Sequence, residues 1–242
     1  MRIAVAQTKP VKGDIQHNVD QHKKLIAVAI ANKADLVIFP ELSITGYEPA
    51  LAKDLATYKE DSRFDDFQKI STTETITIGI GAPLKTVNGI TISMIIFQPS
   101  APVQSYAKQY LHSDEYPYFV KGDEQLVFKI SDDTIAPAIC YELSVPEHSQ
   151  KANNLGANIY IASVAKTAAG VEKAHIDLCS IAKKYSMTVL LSNCIGCCDG
   201  VECGGRSAVW NNKGVLLEHL DNATEGLLIH DTDTSKVTKK LF

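Results

Sequence analysis

The chain has 242 residues, 45% of them hydrophobic and 21% charged, the balance of a globular protein able to bury one large core. A net charge of −4 and a pI near 6.0 argue against a nucleic-acid-binding surface, which is usually strongly basic. No apolar run reaches the length of a membrane span, and "MRIAVAQTKP" lacks the long apolar stretch of a signal peptide, so a cytoplasmic location is expected.

Strand-length apolar runs recur along the chain: Ile3–Gln7, Leu36–Phe39, Thr75–Ile80, Thr91–Gln98, Leu126–Ile130 and Ile135–Ile139 in the first part. Ile159–Ala165, Val189–Ser192, Ser207–Trp210, Gly214–Leu220 and Gly226–His230 follow. Several are nearly continuous in Val and Ile, as strands covered on both faces tend to be. Asn18 with Gln21 resembles a capping box that opens a helix to about Asn32, with Val19, Leu25, Ile26, Ala29 and Ile30 on one stripe. Pro146 opens a second helix that Gly156 closes. A third stripe joins Ala174, Leu178, Ile181, Ala182 and Tyr185. The pattern predicts an α/β chain with a sizeable antiparallel component. No repeat or Gly/Ser/Pro-rich linker interrupts it, so residues 1–242 are read as a single domain.

Three polar residues lie just beyond apolar strands: Glu41 after "LVIFP", Lys108 after "VQSYA" and Cys140 after "TIAPAI". In α/β architectures, ligands and catalytic groups gather at strand C-termini. If these strands are neighbours, a carboxylate, an ammonium and a thiol converge. The thiol is a strong nucleophile that is mostly protonated near neutral pH. A carboxylate can take its proton, and a lysine favours the thiolate and stabilises the oxyanion formed on attack. Taken singly, each has a plainer reading: a small buried hydrophobe, a solvated cation, a surface acid.

Their contexts taken together resemble the nitrilase superfamily of carbon–nitrogen hydrolases. "FPELSITGYEP" is similar to its glutamate motif, "YAKQYLHSDEYPYFVKG" to its lysine motif and "PAICYELSVPE" to its cysteine motif, in the family's order. The resemblance covers essentially the whole chain. It implies a mixed α/β fold, two sheets sandwiched between helix layers (αββα), and assembly as a homodimer or higher homo-oligomer. It makes Glu41 the general base, Lys108 the oxyanion stabiliser, Cys140 the nucleophile that forms a thioester, and Glu115 a second acid that holds Lys108. Tyr47, Tyr118, Tyr141 and Val164-Ala165-Lys166 are candidates to line the pocket, with Tyr47, Tyr141 and Ala165 named as substrate-binding. Where many members carry a polar residue soon after the cysteine motif, this chain has Leu143-Ser144-Val145. Tyrosine after Cys140 is more like the amidase branches, which directs the reading to a small linear amide ahead of a nitrile or an N-carbamoyl compound. No cofactor or metal is called for.

The six cysteines are Cys140, Cys179, Cys194, Cys197, Cys198 and Cys203, and in a cytoplasmic chain they are not read as a disulfide framework. The rival function of another class is metal binding by the cluster Cys194, Cys197, Cys198 and Cys203. A usual structural site, however, draws on two well-separated pairs. A cysteine–histidine protease could recruit His112, His148 or His175, but no local protease signature surrounds Cys140. Dinucleotide binding fails at Gly79-Ile80-Gly81-Ala82-Pro83, which lacks a third glycine and has proline where a helix should begin. A non-catalytic binding module would have no need of all three reacting groups.

Overall fold

The computed structural model describes residues 1–99 and 101–242. Strand β1 (Arg2–Gln7) leads into α1 (Ile15–Ala31) and β2 (Leu36–Ile38); α2 (Ala52–Leu55) and α3 (Asp65–Glu74) precede β3 (Thr77–Thr86), β4 (Gly89–Phe97) and β5 (Gln104–Ala107). The central part holds β6 (Phe128–Ile130), β7 (Asp133–Ile139), α4 (Pro146–Asn154), β8 (Ile159–Val164), α5 (Ala168–Tyr185) and β9 (Thr188–Asn193). The hairpin β10 (Ile195–Cys198) and β11 (Val201–Gly204) comes next, followed by β12 (Ala208–Trp210), β13 (Leu216–His219), β14 (Gly226–Asp231) and β15 (Val237–Leu241).

The strands form a seven-stranded sheet in the order β15-β14-β1-β2-β3-β4-β5 and a six-stranded sheet in the order β13-β12-β9-β8-β7-β6. Alternation along the strands builds three apolar layers. Ile3, Val5, Leu36 and Ile38 of the first sheet meet Ile135, Ile159, Ile161 and Leu190 of the second in one core between the sheets. The intervening Ala4, Ala6 and Val37 face outward beneath Val19, Leu25 and Ile26 of α1. On the far side, Ala136, Ala138 and Ala162 lie under Val171, Ala174 and Leu178 of α5. Small residues under the helices and branched ones between the sheets set the spacing of this helix–sheet–sheet–helix stack, which matches the expected fold class. Hydroxyls tie the sheets together: Ser192 Oγ donates to Ala6 O at 2.6 Å and Ser163 Oγ to Phe39 O at 2.8 Å.

Two sequence readings need correction. The first helix starts at Ile15, capped by Asp14, whose carboxylate accepts from His17 N–H at 3.1 Å. Asn18 is therefore inside the helix. Its buried amide donates to Val11 O at 2.8 Å and Ile44 O at 2.9 Å, tying two loops together, a task that a periodicity argument does not reveal. Nor are the three strands that carry the polar residues neighbours. β2 and β5 are separated by β3 and β4, and β7 belongs to the other sheet. The convergence of their ends is a consequence of sheet-on-sheet packing. Boundaries also shifted by a few residues, as with Phe128–Ile130 in place of Leu126–Ile130, and α2, α3, β10, β11 and β15 lay outside the predicted elements. Among the described residues, no helix is long and apolar enough to cross a membrane.

Candidate active site

Glu41 is presented by a tight loop after β2, in which Leu42 adopts φ +49°. Strand β3 passes directly beneath. A Cβ added at Gly81 would lie 2.4 Å from both Leu42 N and Pro40 O, so only glycine permits this approach. Lys108 extends β5 by one residue, its N–H bonded to Ile92 O at 2.9 Å. Its carbonyl accepts from Gly122 N–H at 2.7 Å, and a Cβ on Gly122 would stand 2.3 Å from Ala107 O. Cys140 directly follows β7 and opens a 3-10 turn over Cys140–Ser144 with φ +46°. A non-glycine residue in that region is strained, and such strain gathers at functional sites.

These three backbones bring one cation and two carboxylates together. Lys108 Nζ lies 2.8 Å from Glu41 Oε1 and 2.6 Å from Glu115 Oε1, with all three side chains essentially fully buried. Glu115 is held in turn by Tyr47 Oη–H at 2.9 Å and by His112 N–H at 2.8 Å. Its neighbour Asp114 is exposed. Two of the three ammonium hydrogens are thus engaged, and the third has no partner among the described residues. Glu41 Oε2 also lacks a well-formed hydrogen bond among them, although the Cys140 thiol is close enough to act on this carboxyl as a donor. A buried carboxylate oxygen left open in this way is costly unless it has a task.

The electrostatics follow from burial and charge count. Burial raises the Glu41 pKa, and the nearby Lys108 ammonium only partly offsets it. Burial works against the Lys108 ammonium, but Glu41 first, then Cys140 and Glu115, outweigh it and the cation is held charged. The Cys140 thiol is pushed up to about 11 by burial and by Glu41, against the downward pull of Lys166 and Lys108. The sequence reading had the lysine favouring the thiolate. Its charge does act in that direction, yet burial first, then Glu41 and Glu115, outweigh it, so the resting sulfur is a thiol. Burial, with help from Glu41, keeps the Tyr47 phenol neutral and able to donate.

A cavity of about 280 Å³ opens beside Cys140, bordered by Tyr47, Glu115, Tyr141, Ala165 and Lys166 among others. Tyr47, Tyr141 and Ala165, the residues read from the sequence as substrate-binding, all border it. Tyr118 is a partly exposed residue outside this wall, and Val164 is buried in the core on β8. His112, Thr167, Cys198 and Cys203 also border the cavity without having been named as pocket residues. Of the protease candidates, His148 is buried in a separate network and His175 bonds Arg206 O at 3.0 Å. Asparagine 193 fixes the loop of Lys166, accepting from its N–H at 2.9 Å and donating to its carbonyl at 3.2 Å.

Sequence reasoning also missed Glu142. Its buried carboxylate accepts from Ile139 N–H at 2.7 Å and Gln109 N–H at 2.6 Å, joining the backbone beside Cys140 to that beside Lys108. Tyr106 Oη donates to it at 2.8 Å. Donor and acceptor counts orient the rest of the chain: His148 Nε2–H donates to Tyr106 Oη, and Tyr160 Oη–H donates to His148 Nδ1, each at 2.8 Å.

Comparison with known proteins identifies the family. The chain matches the carbon–nitrogen hydrolase family over residues 2–240. It is 24% identical over 249 residues to a glutamine-dependent NAD(+) synthetase of Aquifex aeolicus, covering 99% of this chain and 44% of that protein. It therefore spans less than half the length of that relative. A 2-oxoglutaramate amidase of Bacillus subtilis is 26% identical over 188 residues, covering 76% of this chain and 73% of that one. An amidase from Nesterenkonia sp. AN1, solved in complex with butyramide, superposes with a TM-score of 0.86 at 25% identity, covering 95% and 89% of the two chains. With a family match along nearly its whole length and an amidase fold around the buried Glu41–Lys108–Glu115 group, the chain belongs to the carbon–nitrogen hydrolase family.

Proposed function

We propose that the protein hydrolyses a small linear amide through a thioester on Cys140. The observation that carries this reading is the buried Lys108 ammonium, clamped by Glu41 and Glu115 beside the Cys140 thiol at the edge of a small cavity. As the sulfur attacks the amide carbon, its proton passes to Glu41, and the carbonyl π electrons move onto oxygen. The free Lys108 hydrogen meets that oxyanion. Glu41 then returns the proton to nitrogen, the carbon–nitrogen bond breaks, and ammonia or an amine leaves. Water attacks the thioester, giving one proton to Glu41, which restores the thiol as the carboxylic acid departs. A carboxyl with a raised pKa is a stronger base, which suits this shuttle.

Lys166 narrows the substrate class. It places a cation on the cavity wall, where the carboxylate of an ω-amide would find a partner. The names of two relatives, an amidase for 2-oxoglutaramate and a glutamine-dependent synthetase, support the same narrowing. Nitriles and N-carbamoyl compounds present an equivalent carbon and are the alternatives. A panel of all three classes, scored for ammonia release, separates them: the reading requires amides to lead, and a nitrile turning over faster than every amide would overturn it. The same proposal has the chain working as a cytoplasmic homodimer. Ile176 on α5, 69% exposed, offers an apolar contact, and sedimentation at micromolar concentration should give twice the chain mass.

A further inference from the structure

Beyond the Cys140 site lies a second group of sulfurs. The β10–β11 hairpin is pinned at its open end, by a bridge between Thr8 and Cys194 and another between Thr167 and Cys203. Its register pairs Gly196 with Cys203 and Cys198 with Val201. As a result the Sγ atoms of Cys194, Cys198 and Cys203 all lie within 4.8 Å of one another, and those of Cys194 and Cys198 are 3.4 Å apart. All three residues are buried and none forms a disulfide, whereas Cys197 is exposed.

We propose that Cys194, Cys198 and Cys203 form a binding site for one thiophilic d10 cation, Zn²⁺ or Cu⁺. Metal–sulfur bonds of about 2.3 Å require sulfur–sulfur separations of roughly 3.8–4.0 Å in tetrahedral or trigonal geometry. The observed separations, 3.4 Å for one pair and none above 4.8 Å, bracket that requirement, so small rotamer changes suffice. An all-sulfur donor set selects soft cations and disfavours Mg²⁺ or Ca²⁺. Hydrophobic packing of thiols accounts for their burial; it does not account for three sulfurs converging on one point. Cu⁺ is satisfied by three sulfurs. Zn²⁺ takes a fourth ligand, and Cys198 and Cys203 also border the Cys140 cavity, from which water can supply it. Each thiol that coordinates gives its proton to solvent, so binding strengthens with pH.

The test uses the Cys140→Ala protein, which removes the other thiol of the cavity, reduced and handled without oxygen. Titration with Zn²⁺, and separately with Cu⁺, against a chromophoric chelator should show one equivalent bound in at least one arm, and the arm that binds more tightly identifies the preferred ion. X-ray absorption on that loaded protein should show three sulfur neighbours near ~2.3 Å. This measurement needs no change to the cluster and holds even if cluster variants fold poorly. Cys194→Ser should weaken binding at least ~10-fold, and Cys197→Ser should leave it intact. No stoichiometric binding in either arm, a shell of nitrogen and oxygen, or affinity indifferent to Cys194→Ser would each overturn the site.

Discussion

Glu41 and Glu142 are both buried carboxylates beside the Cys140 turn, and they are bonded in opposite ways. Glu142 has both oxygens occupied, by two backbone N–H groups and by Tyr106. Glu41 has one oxygen on Lys108 and the other without a well-formed bond. Burial raises both pKa values, Glu142 to about 7. The difference teaches how one protein uses the same side chain twice. A satisfied carboxylate fixes backbone, while in the proposed mechanism the unsatisfied one beside a thiol exchanges a proton.

The largest effect should come from breaking the reactive member. Glu41→Gln keeps the shape and loses the proton shuttle, so kcat for ammonia release should fall by about 10²–10⁴ while the melting temperature stays close to wild type. A variant with near-normal kcat would end the acid–base assignment. The satisfied member should respond the other way. Glu142→Gln leaves one or more backbone N–H groups without an acceptor, and denaturant titration should show a loss of about 1–3 kcal/mol. A stability unchanged within ~0.5 kcal/mol would show that the carboxylate does not fix the two loops.

Proton linkage sharpens the contrast. Glu142 has a folded pKa raised to about 7, so its contribution is fully present below the unfolded value of about 4.3 and lost as pH rises through 7. His22 and His148 are lowered by burial to about 4 and about 3. Their contributions are present above the unfolded value of about 6.5 and lost as pH falls through those folded values. The two trends oppose each other between pH 4.3 and 6.5. Glu142→Gln removes one of them, so going from pH 7 to 5 should cost the variant about 2 kcal/mol more stability than it costs the wild type. Parallel pH profiles would contradict the buried, protonatable state of Glu142.

The smallest effect concerns the sulfur. Iodoacetamide alkylation of Cys140 should keep accelerating up to pH ~11, since the thiol is pushed up to about 11. Lys166→Met, which removes a downward pull on that pKa, should shift the profile further upward by a fraction of a unit. A profile that levels off near the free-thiol value of about 8.5 would show that burial and Glu41 do not govern the sulfur.

How much of this was legible in the sequence depended on the kind of interaction. The α/β class followed from Val/Ile runs alternating with helical stripes, the two-sheet sandwich and Glu115 from the family resemblance, and Glu41, Lys108 and Cys140 were singled out by their places after apolar strands and the motifs around them. What the sequence could not convey was relation across the sheets. Nothing local says that β9 lies against β1 and β2, that Gly81 must be bare to admit the Glu41 loop, or that Asn18 uses its amide on Val11 and Ile44. Glu142 was passed over because its partners, Gln109 and Tyr106, lie more than thirty residues upstream. The cysteine cluster was visible as spacing, but only the hairpin register separates buried Cys194, Cys198 and Cys203 from exposed Cys197.

The most direct test of the covalent mechanism is mass spectrometry of the protein quenched during turnover of a slow amide. The account predicts a mass increment equal to the acyl group on the peptide that contains Cys140, absent from the Cys140→Ala protein. An acyl group mapped to Cys179 or to the β10–β11 cysteines, or sustained ammonia release by Cys140→Ala, would contradict it.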